Sequence, residues 1–266
     1  MRFTTLFSGS KGNSALLSEG GTNILIDAGA SARRILCAIR EIGVSPDGVS
    51  AIVVTHDHTD HISALLQLLK RVNAPVYAPP KTARAIKILF PEISDYISPL
   101  KVGTEMICGN IAFNSFPTPH DASDSVGYVF SNGSEGLSYA TDTGNVTDAM
   151  LDACLGADMS VIEANHDREM LLSGRYPERL KKRILSPHGH LSNTESGDFA
   201  VKLFEAGAGR IILAHLSEEN NTPACALRCV GERLMRAGAV PCRDVELCCA
   251  SAREPSETFE VKKCSR

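Results

Sequence analysis

Apolar residues recur along the chain in two rhythms, and the two alternate. Short β-branched or aromatic runs, bounded by glycine, proline or polar residues, read as strands at 3–7, 15–18, 23–26, 51–55, 75–78, 111–116, 127–130, 137–140, 159–163 and 210–214. Stretches with apolar residues three and four apart read as helices at 31–42, 62–71, 82–89, 147–155, 193–206 and 223–237. Ser31 stands where it can cap the first helix and Gly43 where it can end it; Ser192 or Asn193 caps the fifth. In 62–71 the apolar positions are 62, 65, 66 and 69, the spacing of one continuous helical face. After Glu246 the chain turns polar, which predicts a frayed tail. No linker, repeat or low-complexity tract interrupts the pattern. Residues 1–266 are therefore expected to fold as a single α/β domain, with packed sheets and helices on their outer faces.

Size, charge and cysteines narrow the function without deciding it. With 266 residues, 43% of them hydrophobic, the chain can bury a large core. A net charge of −4 lacks the strong basic balance of a dedicated nucleic-acid binder, yet a local basic patch can still steer a polyanion. Residues 1–17 lack the apolar run and cleavage site of a secretory leader. No stretch approaches the ~18 apolar residues of a membrane span, so the expected location is cytoplasmic, with no membrane partner. Nine cysteines without a pair of CxxC knuckles read as reduced thiols packed as small hydrophobes. Cys242, Cys248 and Cys249 form the one cluster that stands out, and Cys264 lies further along.

The strongest chemical signal is Thr55-His56-Asp57-His58-Thr59-Asp60-His61, where a buried strand gives way to a helix. In an extended loop His56 and His58 project to one side and can share an ion. Asp60 and His61, at the turn into the helix, can reach a second ion a few ångströms away. Imidazole with carboxylate suits zinc, and also manganese or iron. Two divalent ions about 3.5–4 Å apart can share a hydroxide and clamp a phosphoryl or acyl oxygen.

This HxHxDH pattern resembles the metallo-β-lactamase superfamily. The resemblance extends over most of the chain and implies a four-layer αβ/βα sandwich, two mixed β-sheets face to face with helices on the outer faces. It also implies the remaining ligands: His120 in Thr118-Pro119-His120-Asp121, Asp142 in Tyr139-Ala140-Thr141-Asp142-Thr143-Gly144, and His215 after the strand at 210–214. On that reading His56, His58 and His120 hold one ion, Asp60, His61 and His215 hold the other, and Asp142 bridges. Aspartate rather than cysteine at 142 favours phosphoester over lactam chemistry. Histidine rather than glutamate at 58 argues against the flavo-diiron redox branch.

The order Glu163, then Gly189-His190-Leu191-Ser192, then His215 resembles the tRNA 3′-processing endonuclease branch. It implies that Glu163 orients His190 and that His190 protonates the leaving oxygen, work a histidine can do near neutral pH. Asp60 is a further catalytic candidate, orienting the attacking hydroxide. Residues 8–14, 163–167, 189–193 and 215–221 are similar to the YycJ/WalJ-type branch, bacterial single-domain members related to nucleases. That similarity implies a 5′-to-3′ exonuclease-type activity on DNA, carried out by a metal-bridged hydroxide. The interval from Asp142 to His215 is too short for a large inserted clamp domain.

Candidate substrate contacts are Asn13 in the 9–14 loop, His188 and Ser192 beside His190, and Arg175 and Lys182 in the basic run 175–183. Several of these residues carry two readings. The loop is either a nest of N–H groups for phosphate or a tight turn. The basic run either neutralises phosphates or is a solvated helix face. Tyr176 offers a ring for stacking on a base. His166 and His188 are either functional or surface histidines, and Glu163 either orients His190 or fixes a metal-bound imidazole. Three other functions stay open: hydrolysis of a small, cyclic phosphodiester, thioester hydrolysis, and a non-catalytic metal-holding or partner-binding module.

Overall fold

The computed structural model describes residues 1–240 and 242–262, so Cys264 lies outside the described residues. Its strands form two seven-stranded sheets. One sheet contains β1 (Arg2–Phe7), β2 (Ser14–Glu19), β3 (Thr22–Ile26), β4 (Ala51–Val53), β5 (Val76–Ala78) and β6 (Ile97–Pro99). The other contains β7 (Met106–Cys108), β8 (Ile111–Pro117), β9 (Val126–Ser131), β10 (Gly136–Ala140), β11 (Met159–Glu163), β12 (Arg210–Ala214) and β13 (Glu246–Cys249). The short β14 (Phe259–Glu260) returns to the first sheet and pairs antiparallel with β1. Each sheet is mixed: β1 to β3 and β7 to β10 run antiparallel, whereas β3 to β6 and β10 to β13 run parallel.

The period-two alternation of each strand builds the layers. Leu17, Ile24, Val53, Val161 and Ile212 point between the sheets and pack with Phe3, Tyr128 and Tyr139. Their neighbours Leu16, Leu25 and Ile52 face outward onto the helices α1 (Ala32–Glu41), α3 (Leu65–Leu68) and α4 (Pro80–Leu89). On the far side Ile162, Ile211 and Leu213 face α5 (Asp148–Cys154), α8 (Asn193–Glu205) and α9 (Pro223–Arg236). This is the expected four-layer sandwich. Ser31 caps α1, and Ser192 caps α8 in a full capping box with Glu195. The remaining helices are short: α2 (Thr59–Ile62), α6 (Arg168–Ser173) and α7 (Glu178–Ile184). Among the described residues no helix is long and apolar enough to cross a membrane.

Two expectations need correction. The helix foreseen over 62–71 is interrupted between α2 and α3. Ala64 N donates to Ala28 O at 2.9 Å instead of back along the helix, and Ser63 Oγ donates to Gly29 O at 2.9 Å, so the chain is tied to the β3–α1 loop at the break. Through residue 262 the polar tail is not frayed. β13 pairs parallel with β12, and β14 brings Phe259 and Val261 into the core between the sheets. A few apolar side chains in a polar stretch suffice to fasten it. Phe259→Ala should therefore lower unfolding stability in urea by about 3 kcal/mol, the usual cost of emptying a buried aromatic site. A loose tail would show almost no change.

Candidate metal centre

The centre forms where β3, β4, β10, β11 and β12 end, at one edge of the sandwich. Ligands beyond the carboxyl ends of parallel strands are the rule in open α/β sheets. Three of these exits share an unusual turn. Asp27, Asp142 and His215 follow β3, β10 and β12 with φ of 58°, 56° and 55°. The left-handed region is costly for non-glycine residues, on the order of 1–3 kcal/mol each, and persists where surrounding contacts enforce it. Here it turns each chain off its strand, and packing leaves no slack: a Cβ on Gly29 would lie 1.5 Å from the carbonyl oxygen of Asp60.

The side chains converge in two groups. His56, His58 and His120 offer ligand atoms within 4.8 Å of one another, and so do Asp60, His61 and His215. Nδ1 of His58 lies 3.3 Å from Nε2 of His120. Asp60 Oδ2 lies 3.6 Å from Nε2 of both His61 and His215. A tetrahedral ion with ligands at about 2.0–2.1 Å holds its donor atoms roughly 3.3–3.4 Å apart, close to these separations. Asp142 faces both groups: Oδ2 is 3.4 Å from His61 Nε2, and Oδ1 is 3.8 Å from His120 Nε2.

Each histidine has its far nitrogen held, which fixes its tautomer and turns the other nitrogen inward. His56 Nδ1 donates to Thr55 Oγ1 at 3.0 Å, and His58 Nε2 to Asp121 O at 3.3 Å. His61 Nδ1 donates to Asp27 Oδ2 at 2.8 Å, and His120 Nδ1 to Gly189 O at 3.0 Å. His215 Nδ1 donates to Glu163 Oε1 at 2.8 Å. As a result His56 Nε2, His215 Nε2 and Asp142 Oδ2 are buried with no hydrogen-bond partner. Buried polar atoms rarely stay unpaired, so these three, shared between the two adjoining ligand groups, fit divalent cations there.

The electrostatics agree. Burial pushes the His56 pKa well below its ordinary value, and neighbouring histidines add to the effect, so it is a neutral ligand. Burial also favours neutral His61, but Asp142, Asp27 and Asp60 outweigh it and raise its pKa to about 9. Burial would raise the pKa of Asp60 and Glu163. His215, whose Nε2 lies 3.6 Å from Asp60 Oδ2, and the charge of His61 keep Asp60 ionised, and His190 and His215 do the same for Glu163.

Glu163 is fully buried and fully used. Its Oε1 accepts from Nδ1 of His190 and of His215, each at 2.8 Å. Its Oε2 accepts from the backbone N–H groups of Thr143 and Leu191 at 3.1 and 3.0 Å. Glu163 thus holds the His190 and His215 rings at once, the contacts that either of its two expected roles needs. Asp27, absent from the sequence-based candidates, does similar work: Oδ1 accepts from Thr55 N at 2.8 Å, and Oδ2 from Thr55 Oγ1 and His61. Its signal was available, an acid directly after a buried strand, as for Asp142.

A cleft of about 220 Å³ opens over the centre, reached by His58, Asp60, Asp142, His190 and His215. Ser10, Asn165, Ser217, Tyr176 and Arg183 complete much of its wall. The five expected substrate contacts do not line it, and each has a physical reason. Asn13 is buried beneath the ligands, donating to Asp60 Oδ2 at 3.2 Å, while its Oδ1 accepts from Gly9 N; the 9–14 loop is a tight turn that presents Ser10. Ser192 is buried as the α8 cap. His188, Arg175 and Lys182 are exposed outside the cleft. His166 is no surface residue either: it is 1% exposed, and burial lowers its pKa to about 4. Burial raises the thiols of Cys248 and Cys249 to about 11 and 12, and no cysteine joins a metal-competent group among the described residues.

Comparison with known proteins agrees with this geometry. Residues 22–216 match the model of the β-lactamase superfamily domain. The chain is 37% identical over 239 residues to the exodeoxyribonuclease YycJ of Bacillus anthracis, covering 90% of each chain. It is 36% identical to the exodeoxyribonuclease WalJ of Streptococcus pneumoniae, covering 89% of each. The fold is also that of the metallo-β-lactamase fold protein YhfI from Bacillus subtilis, with a TM-score of 0.72 at 18% identity, covering 97% of this chain and 100% of that one. The chain belongs to the β-lactamase superfamily. Its carboxylate- and histidine-rich centre is that of a metal-dependent hydrolase within it.

Two measurements follow. Asp27→Asn should weaken zinc or manganese binding by about 10- to 100-fold, as is usual when the partner of a ligating histidine is altered; an unchanged titration would reduce Asp27 to a packing role. With a pKa of about 9, His61 carries a proton at neutral pH that an incoming cation must displace. Metal affinity should therefore rise with pH from 7 to 9, by competition titration; a flat profile over that range would contradict this proton displacement.

Proposed function

We propose that this protein is a metal-dependent exodeoxyribonuclease that hydrolyses phosphodiester bonds in DNA with two divalent ions, zinc or manganese, with iron as a third possibility. The observation that carries the reading is the conjunction of two features. His56, His58, His120, Asp60, His61 and His215 form two adjoining groups faced by Asp142, and beside them His190 opens on the cleft with its Nδ1 held by Glu163. Likeness along nine-tenths of the chain to relatives named exodeoxyribonucleases supports DNA as the substrate.

When bound, the two ions supply an activated water and offset the charge on a phosphoryl group. The chain supplies the rest. His56, His58 and His120 would hold one ion and Asp60, His61 and His215 the other, with Asp142 placed to reach both. Asp60, at the cleft surface, also helps to orient the attacking water. Protonation of the departing oxygen falls to His190. With Nδ1–H donating to Glu163, its Nε2 carries the mobile proton, and the buried carboxylate balances the imidazolium charge.

The narrow cleft supports a second reading, hydrolysis of a small cyclic phosphodiester, because it encloses less volume than the roughly 300–1,000 Å³ of sites that engulf a drug-sized ligand. End-labelled DNA, RNA, a cyclic nucleotide and bis-p-nitrophenyl phosphate, incubated with manganese or zinc, separate the two; cyclic nucleotide cleavage with intact DNA would reject the nuclease. The labelled end released first reports the expected 5′-to-3′ direction. His190→Ala should lower kcat on DNA by about 10²- to 10⁴-fold with metal content preserved. Loss of metal in parallel with activity would count against a proton-transfer role.

A further inference from the structure

The basic run from 175 to 183 carries five cations, and only Arg183 among them lines the cleft. Lys181 is buried, its Nζ donating to Leu172 O at 2.7 Å and paired with Glu178 at 3.3 Å, so it fastens α7 against α6. Arg175, Arg179 and Lys182 are exposed outside the cleft. The Arg183 side chain is 51% exposed yet firmly aimed. Its Nε donates to Asp121 Oδ2 in a short contact, and its Nη2 donates to Oδ1 at 3.0 Å. Asp121 in turn is set against the first ligand group: it follows His120, and its carbonyl accepts from His58 Nε2. Asp60 is near enough to act electrostatically on the guanidinium.

An exposed ion pair of this kind adds little to stability, so its value lies elsewhere. A guanidinium has five N–H donors, and the fork to Asp121 occupies two, leaving three for a ligand. Planar donors at fixed angles match phosphate oxygens in pairs. At about 220 Å³ the cleft leaves little room beyond a reacting diester, and Arg183 lies on its wall. We propose that Arg183, steered by Asp121, anchors the phosphate adjoining the scissile one and thereby favours a polynucleotide over an isolated diester. The inference rests on the nuclease reading above and names the residue that makes it selective.

The test compares a single-stranded oligodeoxynucleotide with bis-p-nitrophenyl phosphate, a diester with no second phosphate, using the full chain loaded with manganese. For Arg183→Ala, KM for the oligonucleotide should rise about tenfold or more while kcat stays within about threefold, and the model diester should be affected far less. The log–log salt dependence of oligonucleotide binding should flatten by about 0.7, the value of one lost phosphate contact on a single strand. Arg183→Lys should recover part of the loss. Asp121→Asn, which keeps the cation but loosens its aim, should give an intermediate KM. Lys182→Ala removes an equal charge outside the cleft and should leave KM as it was. Equal losses on both substrates, or an unchanged oligonucleotide KM in Arg183→Ala, overturn the anchor. Wild-type protein that hydrolyses the model diester but neither binds nor cuts the oligonucleotide overturns the nuclease reading, and the anchor falls with it.

Discussion

An imidazole is a dependable ligand only when its second nitrogen is already committed. That constraint organises the site end of this molecule. Thr55, Asp27, Gly189, Glu163 and the Asp121 carbonyl each hold the outer nitrogen of one ligand histidine. These partners come from loops that are distant in sequence and meet only because two sheets end at the same edge. The sandwich thus does more than bury apolar surface. Its core fixes where the strands stop, the stops fix the carboxylates and carbonyls, and those fix the rings.

The strand exits show what this arrangement costs. Asp27, Asp142 and His215 adopt left-handed backbone that relaxed chains avoid. Each is buried, and two are tied down by hydrogen bonds, Asp27 by Thr55 and His61, and His215 by Glu163 and by its own N–H donating to Ser8 Oγ at 2.8 Å. Gly29 belongs to the same economy of space, since only a residue without Cβ lets the β3–α1 loop lie against Asp60. Hydrogen bonds and close packing thus fix where these side chains stand, which is the condition for holding a cation in one geometry.

Much of this was legible in the sequence. Buried strands announce themselves through β-branched runs, and three histidines with two acids in one short loop make a donor set that chance rarely assembles. The regular helices α1, α8 and α9 followed from spacing, and the caps of the first two from Ser31 and Ser192. What escaped was whatever depends on contacts across the chain. Apolar spacing in 62–71 is helical, but the β3–α1 loop captures the backbone donor of Ala64 and the hydroxyl of Ser63. The polar stretch after Glu246 conceals Phe259, whose place is defined by β1. The run 175–183 looks uniformly cationic, yet the fold buries Lys181, leaves Lys182 in solvent and turns Arg183 to the cleft. Composition gives the charge of a segment; only packing assigns each charge a direction.

Glu163 carries a less obvious consequence. One oxygen serves a metal-facing ring and a cleft-facing ring together. Mutation cannot retune one of these rings through this carboxylate without disturbing the other, so the two are inherited as a unit. Change in specificity during divergence is thereby channelled toward the cleft wall, where side chains such as Arg183 and Tyr176 can be exchanged while the shared acid stays put.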